Sequence, residues 1–170
     1  MKLFDFGLAK ELPERCQSCR DGLYNLTGHT GTLRYQATEV ALGLPYNESC
    51  DVYSFAIVLW EILSMKRAFR EYTSELLRKF VFNKPYKRPP RSNKWSDALR
   101  ENMHKAWSPV IRQRPSMCAM VNMLEDECSK LGYDEKIGPC SGSRRAYDSA
   151  SRKHHSLQRS NTERSSFFSE

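Results

Sequence analysis

Apolar residues recur at helical spacing in four segments of this 170-residue chain. The longest segment runs from about Cys50 to Ser64, and its apolar side chains cover nearly the whole circumference of a helix. In a water-soluble protein such a helix has to be surrounded by other elements, so this segment predicts a buried central helix. The three shorter segments place apolar residues at the spacing of a helix with one buried face: Leu76 to Val81, Leu99 to Trp107 and Met117 to Leu124.

Residues that favour helix ends lie at the borders of these segments. The candidate N-caps, whose side chains can accept a hydrogen bond from the first turn, are Asn47 or Ser49, Thr73 or Ser74, and Ser96. The last helix is expected to begin after Pro115, a good first-turn residue. Leu131-Gly132 predicts the end of that helix, because glycine readily adopts the left-handed conformation of a C-terminal cap.

Polar segments near both ends of the chain predict little regular structure. Lys2-Leu3-Phe4 is typical of the end of a short strand, and the stretch that follows, to about Arg34, predicts a long loop because its glycines and threonines break any periodicity. A short helical turn is expected near Thr38. Beyond Gly138 the sequence is rich in Ser and Arg and poor in apolar residues, which predicts a disordered tail.

The distribution of charged and apolar residues bears on whether the chain binds nucleic acid or a membrane. The formal net charge is +7, and nearly half of this excess lies between Ser141 and Glu170. No basic stripe is interleaved with aromatic residues as single-stranded nucleic acid requires, and no apolar stretch reaches the roughly 20 residues that span a bilayer. We therefore expect no nucleic-acid partner and no membrane association. We expect a soluble, cytoplasmic protein without an export signal, whose six cysteines are reduced thiols.

Four motifs occur in the order in which protein kinases carry them. Asp5-Phe6-Gly7 is a weak signal alone, but kinases place an activation loop and then A-P-E after D-F-G. The later motifs here are Gly31-Thr-Leu-Arg-Tyr-Gln-Ala-Thr-Glu39, Asp51-Val-Tyr-Ser-Phe-Ala56 and Trp107-Ser-Pro-Val-Ile-Arg-Gln-Arg-Pro-Ser-Met117. The chain therefore resembles the eukaryotic protein kinase catalytic domain from the D-F-G turn onward. Its pattern is most similar to the tyrosine-kinase-like group of serine/threonine kinases.

This resemblance implies a mainly α fold like the C-lobe of a kinase, with a short strand, an activation loop, a central buried helix and surrounding helices. It covers residues 1–131 and leaves residues 132–170 as a Ser/Arg-rich tail. In the family the D-F-G aspartate holds the Mg²⁺ that bridges the phosphates of ATP, so Asp5 is implied as a metal ligand and catalytic residue. Phe6, packed inward, and Gly7, which lets the backbone turn, would belong to the same cofactor-binding turn.

Threonines of the predicted activation loop bear on substrates and regulation. Thr32 matches the substrate-facing threonine of serine/threonine kinases, so the resemblance implies a catalytic role for Thr32 and protein substrates with Ser or Thr acceptors. Thr27 and Thr30 lie where an upstream kinase would phosphorylate the loop, and such a phosphate could pair with arginines and order it. The alternative is that both residues only form the loop.

Two further matches imply structural contacts. Glu39 resembles the A-P-E glutamate, which in the family pairs with the arginine of the last motif, here Arg114. Asp51 resembles the aspartate that anchors the backbone of the catalytic loop. The Gly-rich phosphate loop, the V-A-I-K lysine and the H-R-D loop with its asparagine do not occur within these 170 residues.

Two functions remain open at this point. The first is an ATP-dependent serine/threonine protein kinase of which these residues are a part, catalytically incomplete as given, because phosphoryl transfer depends on the groups that the missing motifs position. The second is a non-catalytic, pseudokinase-like interaction module, favoured by Gln36, Thr38 and Ala56, which replace methionine, proline and glycine of the family pattern. On either reading we expect no kinase activity from these 170 residues alone.

Overall fold

The computed structural model describes residues 6–12 and 22–133. In this part the chain forms five α-helices: α1 (Thr38–Ala41), α2 (Ser49–Ser64), α3 (Ser74–Phe80), α4 (Asp97–Ala106) and α5 (Met117–Lys130). Two short 3-10 helices lie at Leu33–Tyr35 and Ile111–Gln113. The described residues form no strand, and one isolated antiparallel bridge joins Tyr24 to Tyr46. The strand expected at residues 2–4 and nearly all of the predicted tail lie outside the described residues.

Helix α2 is the centre of the core, as its sequence predicts. Its buried side chains are Val52, Tyr53, Ala56, Ile57, Leu59 and Trp60. They share one apolar cluster with residues of α4 and α5, among them Met103 and Met120. Burial ends before the last turn, where Ile62 and Leu63 are 52% and 37% exposed. Of the helices in the described residues, none is both long and apolar enough to cross a lipid bilayer.

Side-chain caps start the helices after α2 at the predicted places. Thr73 Oγ1 accepts a hydrogen bond from the backbone N–H of Leu76 at 3.3 Å, and Ser96 Oγ accepts one from Leu99 at 3.1 Å. Each cap satisfies one of the first N–H groups of its helix, which have no partner within the helix itself. The sequence therefore specifies where α3 and α4 begin.

Helix α5 begins after Pro115 and ends before Gly132, as the sequence predicts, but Pro115 does not lie in its first turn. The helix begins at Met117, so Pro115 lies outside it, and Ser116 is the cap. Ser116 Oγ accepts from Ala119 N–H at 3.1 Å, a hydrogen bond for which proline has no side-chain oxygen. At the other end Gly132 has a φ of +82°, the left-handed conformation expected of the residue that ends a helix.

Candidate active site

The turn that follows Asp5 forms the N-terminal edge of the candidate site. Asp5 itself lies outside the described residues. Ala9 donates its N–H to the carbonyl of Phe6 at 2.9 Å, which closes a turn around Gly7. The side chain of Phe6 is 70% exposed and belongs to neither apolar cluster of the described residues. This exposure is a correction to the inward packing expected for Phe6, because no described apolar cluster receives its ring.

A cavity of about 430 Å³ brings several of the predicted residues together. Its lining includes Leu8 to Lys10, directly after the turn, and Asp51, in the first turn of α2. Thr30, Thr32 and Gln36 line the same cavity. Residues from three of the four sequence motifs, or immediately beside them, therefore meet at one place.

The residues that follow Thr32 make the contacts that hold its segment in place. Arg34 donates hydrogen bonds to the carbonyls of Ala68 and Phe69, and Tyr35 donates its hydroxyl to Glu61 at 3.1 Å. Burial, followed by the carboxylate of Glu61, raises the pKa of Tyr35 above its usual value, so this hydroxyl keeps its proton and remains a donor. Thr32 itself is exposed, which a residue that faces a protein substrate has to be.

Gln36 makes a contact that the sequence did not predict. Its side-chain amide donates to the carbonyls of Thr30 and Gly31 at 2.8 and 2.9 Å, and the residue is only 7% exposed. A methionine at this position has no hydrogen to donate. The sequence did show that glutamine replaces the methionine of the family pattern at this position. It did not indicate which groups the glutamine contacts.

The two candidate phosphorylation sites have different surroundings. Thr27 is exposed, and its hydroxyl contacts the ammonium group of Lys10. Thr30 is half-buried, and its hydroxyl lies 3.5 Å from the carbonyl of Thr27 as a donor. Tyr46 also donates to the carbonyl of Thr27, at 2.9 Å. Of the two hydroxyls, that of Thr27 is thus both more accessible and beside a cation.

The predicted pair of Glu39 and Arg114 is confirmed by the structure. The guanidinium binds both carboxylate oxygens, with Nη1–Oε1 and Nη2–Oε2 distances of 2.6 and 2.7 Å, and the two side chains are 5% and 0% exposed. Arg114 also donates to the carbonyls of Ser108 and Ser49. The pair joins the end of the threonine-bearing segment to the loop before α5 and to the start of α2.

The buried ring of Tyr53 packs against Arg114 of this pair. The guanidinium carbons of Arg114 and Arg88 lie 5.3 and 5.1 Å from the centre of that ring. Arg88 donates to the carbonyls of Trp107 and Val81. Burial, more than the neighbouring charge of Arg114, lowers the pKa of Arg88. Tyr53 thus packs against two guanidinium groups, and the sequence did not predict this contact.

The described residues do not by themselves supply a metal centre. No group of three or more His, Cys, Asp or Glu side chains in residues 6–12 and 22–133 could hold a metal ion. The fit of Mg²⁺ or ATP therefore depends on Asp5 and on residues beyond this set.

Comparison with known proteins decides the family. The family model described as protein tyrosine and serine/threonine kinase matches residues 1–124. The chain belongs to this protein kinase family. The resemblance inferred from the four motifs is thereby confirmed, together with the mainly helical, C-lobe-like fold. Protein kinases are transferases that use ATP and a divalent metal ion.

The following curated relatives of this kinase chain are much longer than it. It is 37% identical over 126 residues to the dual specificity protein kinase shkC of Dictyostelium discoideum, covering 74% of this chain and 24% of that protein. It is 34% identical over 138 residues to the serine/threonine-protein kinase VIK of Arabidopsis thaliana, covering 81% and 31%. Against the mitogen-activated protein kinase kinase kinase 7 of Drosophila melanogaster the identity is 30% over 126 residues, covering 74% and 17%. The chain thus spans less than a third of each of these relatives.

Proposed function

We propose that these residues serve an ATP-dependent serine/threonine protein kinase, in which they form the lobe that receives the protein substrate. The observation that carries this proposal is the shared cavity, which is lined by the segment after Gly7, by Thr32 and by Asp51. The names of the relatives, serine/threonine or dual specificity kinases, support the same class of reaction. Protein substrates are part of the proposal, and so is the cytoplasmic location expected from the sequence.

Each predicted site residue has a role in this proposal. Asp5 would hold Mg²⁺, which neutralises charge on the phosphates of ATP when it is bound. Phe6 and Gly7 belong to the turn that directly follows Asp5 in the sequence. Thr32 would contact the segment of the substrate that bears the acceptor hydroxyl. The buried pair of Glu39 and Arg114 fixes the Thr32 segment against α2 and thus keeps it in position.

A transfer assay with radiolabelled ATP and casein tests the catalytic part of the proposal. We expect the 170 residues alone to show no transfer above an Asp5→Ala control, because the groups that position the phosphates are not among them. A longer chain, extended by any in-frame H-R-D and V-A-I-K segments encoded upstream of Met1, should transfer phosphate to serine or threonine. The Asp5→Ala variant of that longer chain should not.

Three results would contradict this proposal. Transfer by the 170 residues above their Asp5→Ala control would show that they are not catalytically incomplete. Full activity of the longer chain with Asp5→Ala would remove Asp5 from the site. Label found on tyrosine alone would contradict the role given to Thr32.

Regulation by an upstream kinase fits Thr27 better than Thr30. A phosphate on Thr27 would lie beside the ammonium of Lys10 and could hold the loop by a charge-assisted hydrogen bond. In the longer chain, Thr27→Ala should lower activation by cellular kinases more than Thr30→Ala does. Phosphopeptide mapping of the active protein identifies the site, and phosphate on Thr30 alone would contradict this assignment.

A non-catalytic interaction module is the second candidate, because apolar side chains are exposed at the end of α2. Ile62, Leu63 and Met65 are 52%, 37% and 88% exposed. We expect the 170 residues to bind a hydrophobic dye such as ANS, since exposed apolar patches bind such dyes. Loss of dye binding in the longer chain would favour the kinase, in which further helices cover the surface. Persistent dye binding there would favour an interaction module, and a dye-negative monomer of the 170 residues would contradict the exposure.

A further inference from the structure

The positive charge of the chain is concentrated in one segment. Seven basic residues and no acidic residue lie between Leu76 and Ser96, which equals the net charge of the whole chain, +7. This segment comprises most of α3 and the loop that follows it. A count over the whole chain hides this concentration, because acidic residues elsewhere cancel the remaining basic ones.

Four of the exposed basic side chains of this segment lie on α3 and the turn that follows it, and two of them lie over one aromatic ring. They are Arg78, Lys79, Lys84 and Lys87, here called the α3 basic surface. The ammonium groups of Lys79 and Lys87 lie 5.3 and 5.2 Å from the centre of the half-buried Phe80 ring. Two lysines separated by eight positions are thus held close together on the surface. Each ammonium group is attracted by the electron density on the faces of the ring.

Backbone hydrogen bonds fix the loop that presents this surface. Lys87 N–H donates to the carbonyl of Phe80 at 2.7 Å, and Tyr86 N–H donates to Asn83 at 2.8 Å. The amide of Asn83 donates to the carbonyl of Arg78 at 2.9 Å. The basic groups are therefore carried by a closed loop, so little backbone ordering is needed when a partner binds.

The described chain provides no ion-pair partner for the charges of this surface. None of its four side chains forms an ion pair with a described residue, whereas Arg100, Lys105 and Lys130 each do. The positive field extends toward α4, where burial and then the charges of Arg91 and Arg88 lower the pKa of His104. Unpaired charges of one sign on a fixed surface attract a partner of the opposite sign.

The surroundings of the surface favour an acidic protein segment over nucleic acid or a membrane. The ring of Phe80 is half-buried and two lysines lie over it, so it is poorly available for a base to stack on. No large apolar side chain that is exposed in the described chain lies between residues 66 and 109, so nothing there would insert into a bilayer. An acidic peptide, by contrast, can bind through its carboxylates to the exposed ammonium and guanidinium groups alone.

We propose that the α3 basic surface is a docking site for a short acidic segment of a partner protein. The proposal does not depend on catalysis, so it can fail while the proposed function holds, and the reverse is also true. The occupant is defined by its chemistry, a run of Glu or Asp side chains in an extended or helical segment.

Fluorescence anisotropy of a labelled peptide of alternating Glu and Ser tests the proposal on the full 170-residue chain. A peptide with Gln in place of Glu is the matched ligand control. Lys79→Gln/Lys84→Gln/Lys87→Gln should weaken binding about tenfold, as expected for the loss of three exposed ion pairs. Lys66→Gln/Lys105→Gln/Lys130→Gln removes the same charge elsewhere and should change binding less than about twofold. Binding should also weaken as the ionic strength rises to about 0.15 M, where the Debye length is roughly 8 Å.

A charge-conserving variant and three other ligands complete the test. Lys79→Arg/Lys84→Arg/Lys87→Arg should bind the peptide as the wild type does, which excludes misfolding as the cause of any loss. Equal binding of the Glu and Gln peptides, or equal loss in the two Gln variants, overturns the proposal. So does tighter binding, through the same lysines, of duplex RNA or of vesicles of phosphatidylcholine and phosphatidylserine. Self-association of the chain that the surface variant abolishes would make a second copy the occupant and would also overturn it.

Discussion

Thr38 places a polar group in the core of the described chain without a partner. The residue is 6% exposed, and its Oγ1 atom has no hydrogen bond. A buried hydroxyl that has lost its water and found no replacement costs about 1–3 kcal/mol. Thr38 is also the first residue of α1, a position where proline is favoured because its missing N–H is not needed there.

The substitution Thr38→Pro should therefore stabilise the protein. Ala37 already has φ −66° and ψ 153°, the extended conformation that a following proline requires. We expect the free energy of unfolding to rise by about 1–2 kcal/mol, from removal of the unpaired hydroxyl and from a stiffer unfolded chain. Urea denaturation followed by circular dichroism measures it. Thr38→Ser, which keeps the hydroxyl, is the control, and a Thr38→Pro variant less stable than wild type would contradict the argument.

The sequence predicted the role of a single residue well where that role depends only on neighbouring residues. Thr73 and Ser96 cap their helices as expected because a cap depends only on the residues beside it. The amide of Gln36 binds carbonyls five and six positions earlier, within a loop that follows no periodic pattern. The sequence identified the unusual residue but not its contact. The exposure of Phe6 shows the same limit, because packing depends on residues distant in sequence.

At the scale of elements, periodicity predicted the helices because each buried face repeats along the chain. The predicted bounds of α2, about Cys50 to Ser64, differ by one residue from the observed ones. The contact between α1 and the loop before α5 has no periodic signature. It was predicted only because Glu39 and Arg114 match family positions.

Breaking this contact should be costly. Glu39→Gln removes the charge that Arg114 faces and leaves the guanidinium buried, which should lower the free energy of unfolding by about 3–5 kcal/mol. Replacing both residues by apolar ones, Glu39→Leu with Arg114→Met, should cost less than the sum of the two single changes, because no buried charge is then left alone.

Urea denaturation of Glu39→Gln, of the single variants Glu39→Leu and Arg114→Met, and of their double variant measures these differences. Glu127→Gln is the matched control, since its partner Lys130 is exposed and an exposed ion pair contributes little to stability. If Glu39→Gln were no more destabilising than Glu127→Gln, the buried pair would not hold the lobe together.

At the scale of the whole molecule, the distribution of charge matters more than its total. The segment between Leu76 and Ser96 carries as much net charge as the whole chain, and it faces helix α4 through Arg88 and Arg91. The sequence contained this information in full. The division of the net charge between the body and the tail does not reveal it, because the concentration lies within the body.

The same field should make stability depend on pH through His104. Burial, then Arg91 and Arg88, lower the pKa of His104 below its usual 6.5, so the unfolded chain binds this proton more readily than the folded one. Stability should therefore rise with pH between the lowered pKa and 6.5, and it should fall on acidification through that interval. Thermal unfolding at pH values on either side of 6.5 measures this, and His104→Asn should reduce the slope. An unchanged slope in the variant would assign the dependence to other groups.

The pair of Glu39 and Arg114 also bears on the order of events when the chain folds. The two residues are separated by 75 positions, and the entropic cost of closing a loop rises with its length. Contacts within and between neighbouring helices can form before this loop closes, so we expect the pair to form late. Its loss should then speed unfolding and leave the rate of folding nearly unchanged. The pair would in that case set the lifetime of the folded lobe, not the speed with which the lobe forms.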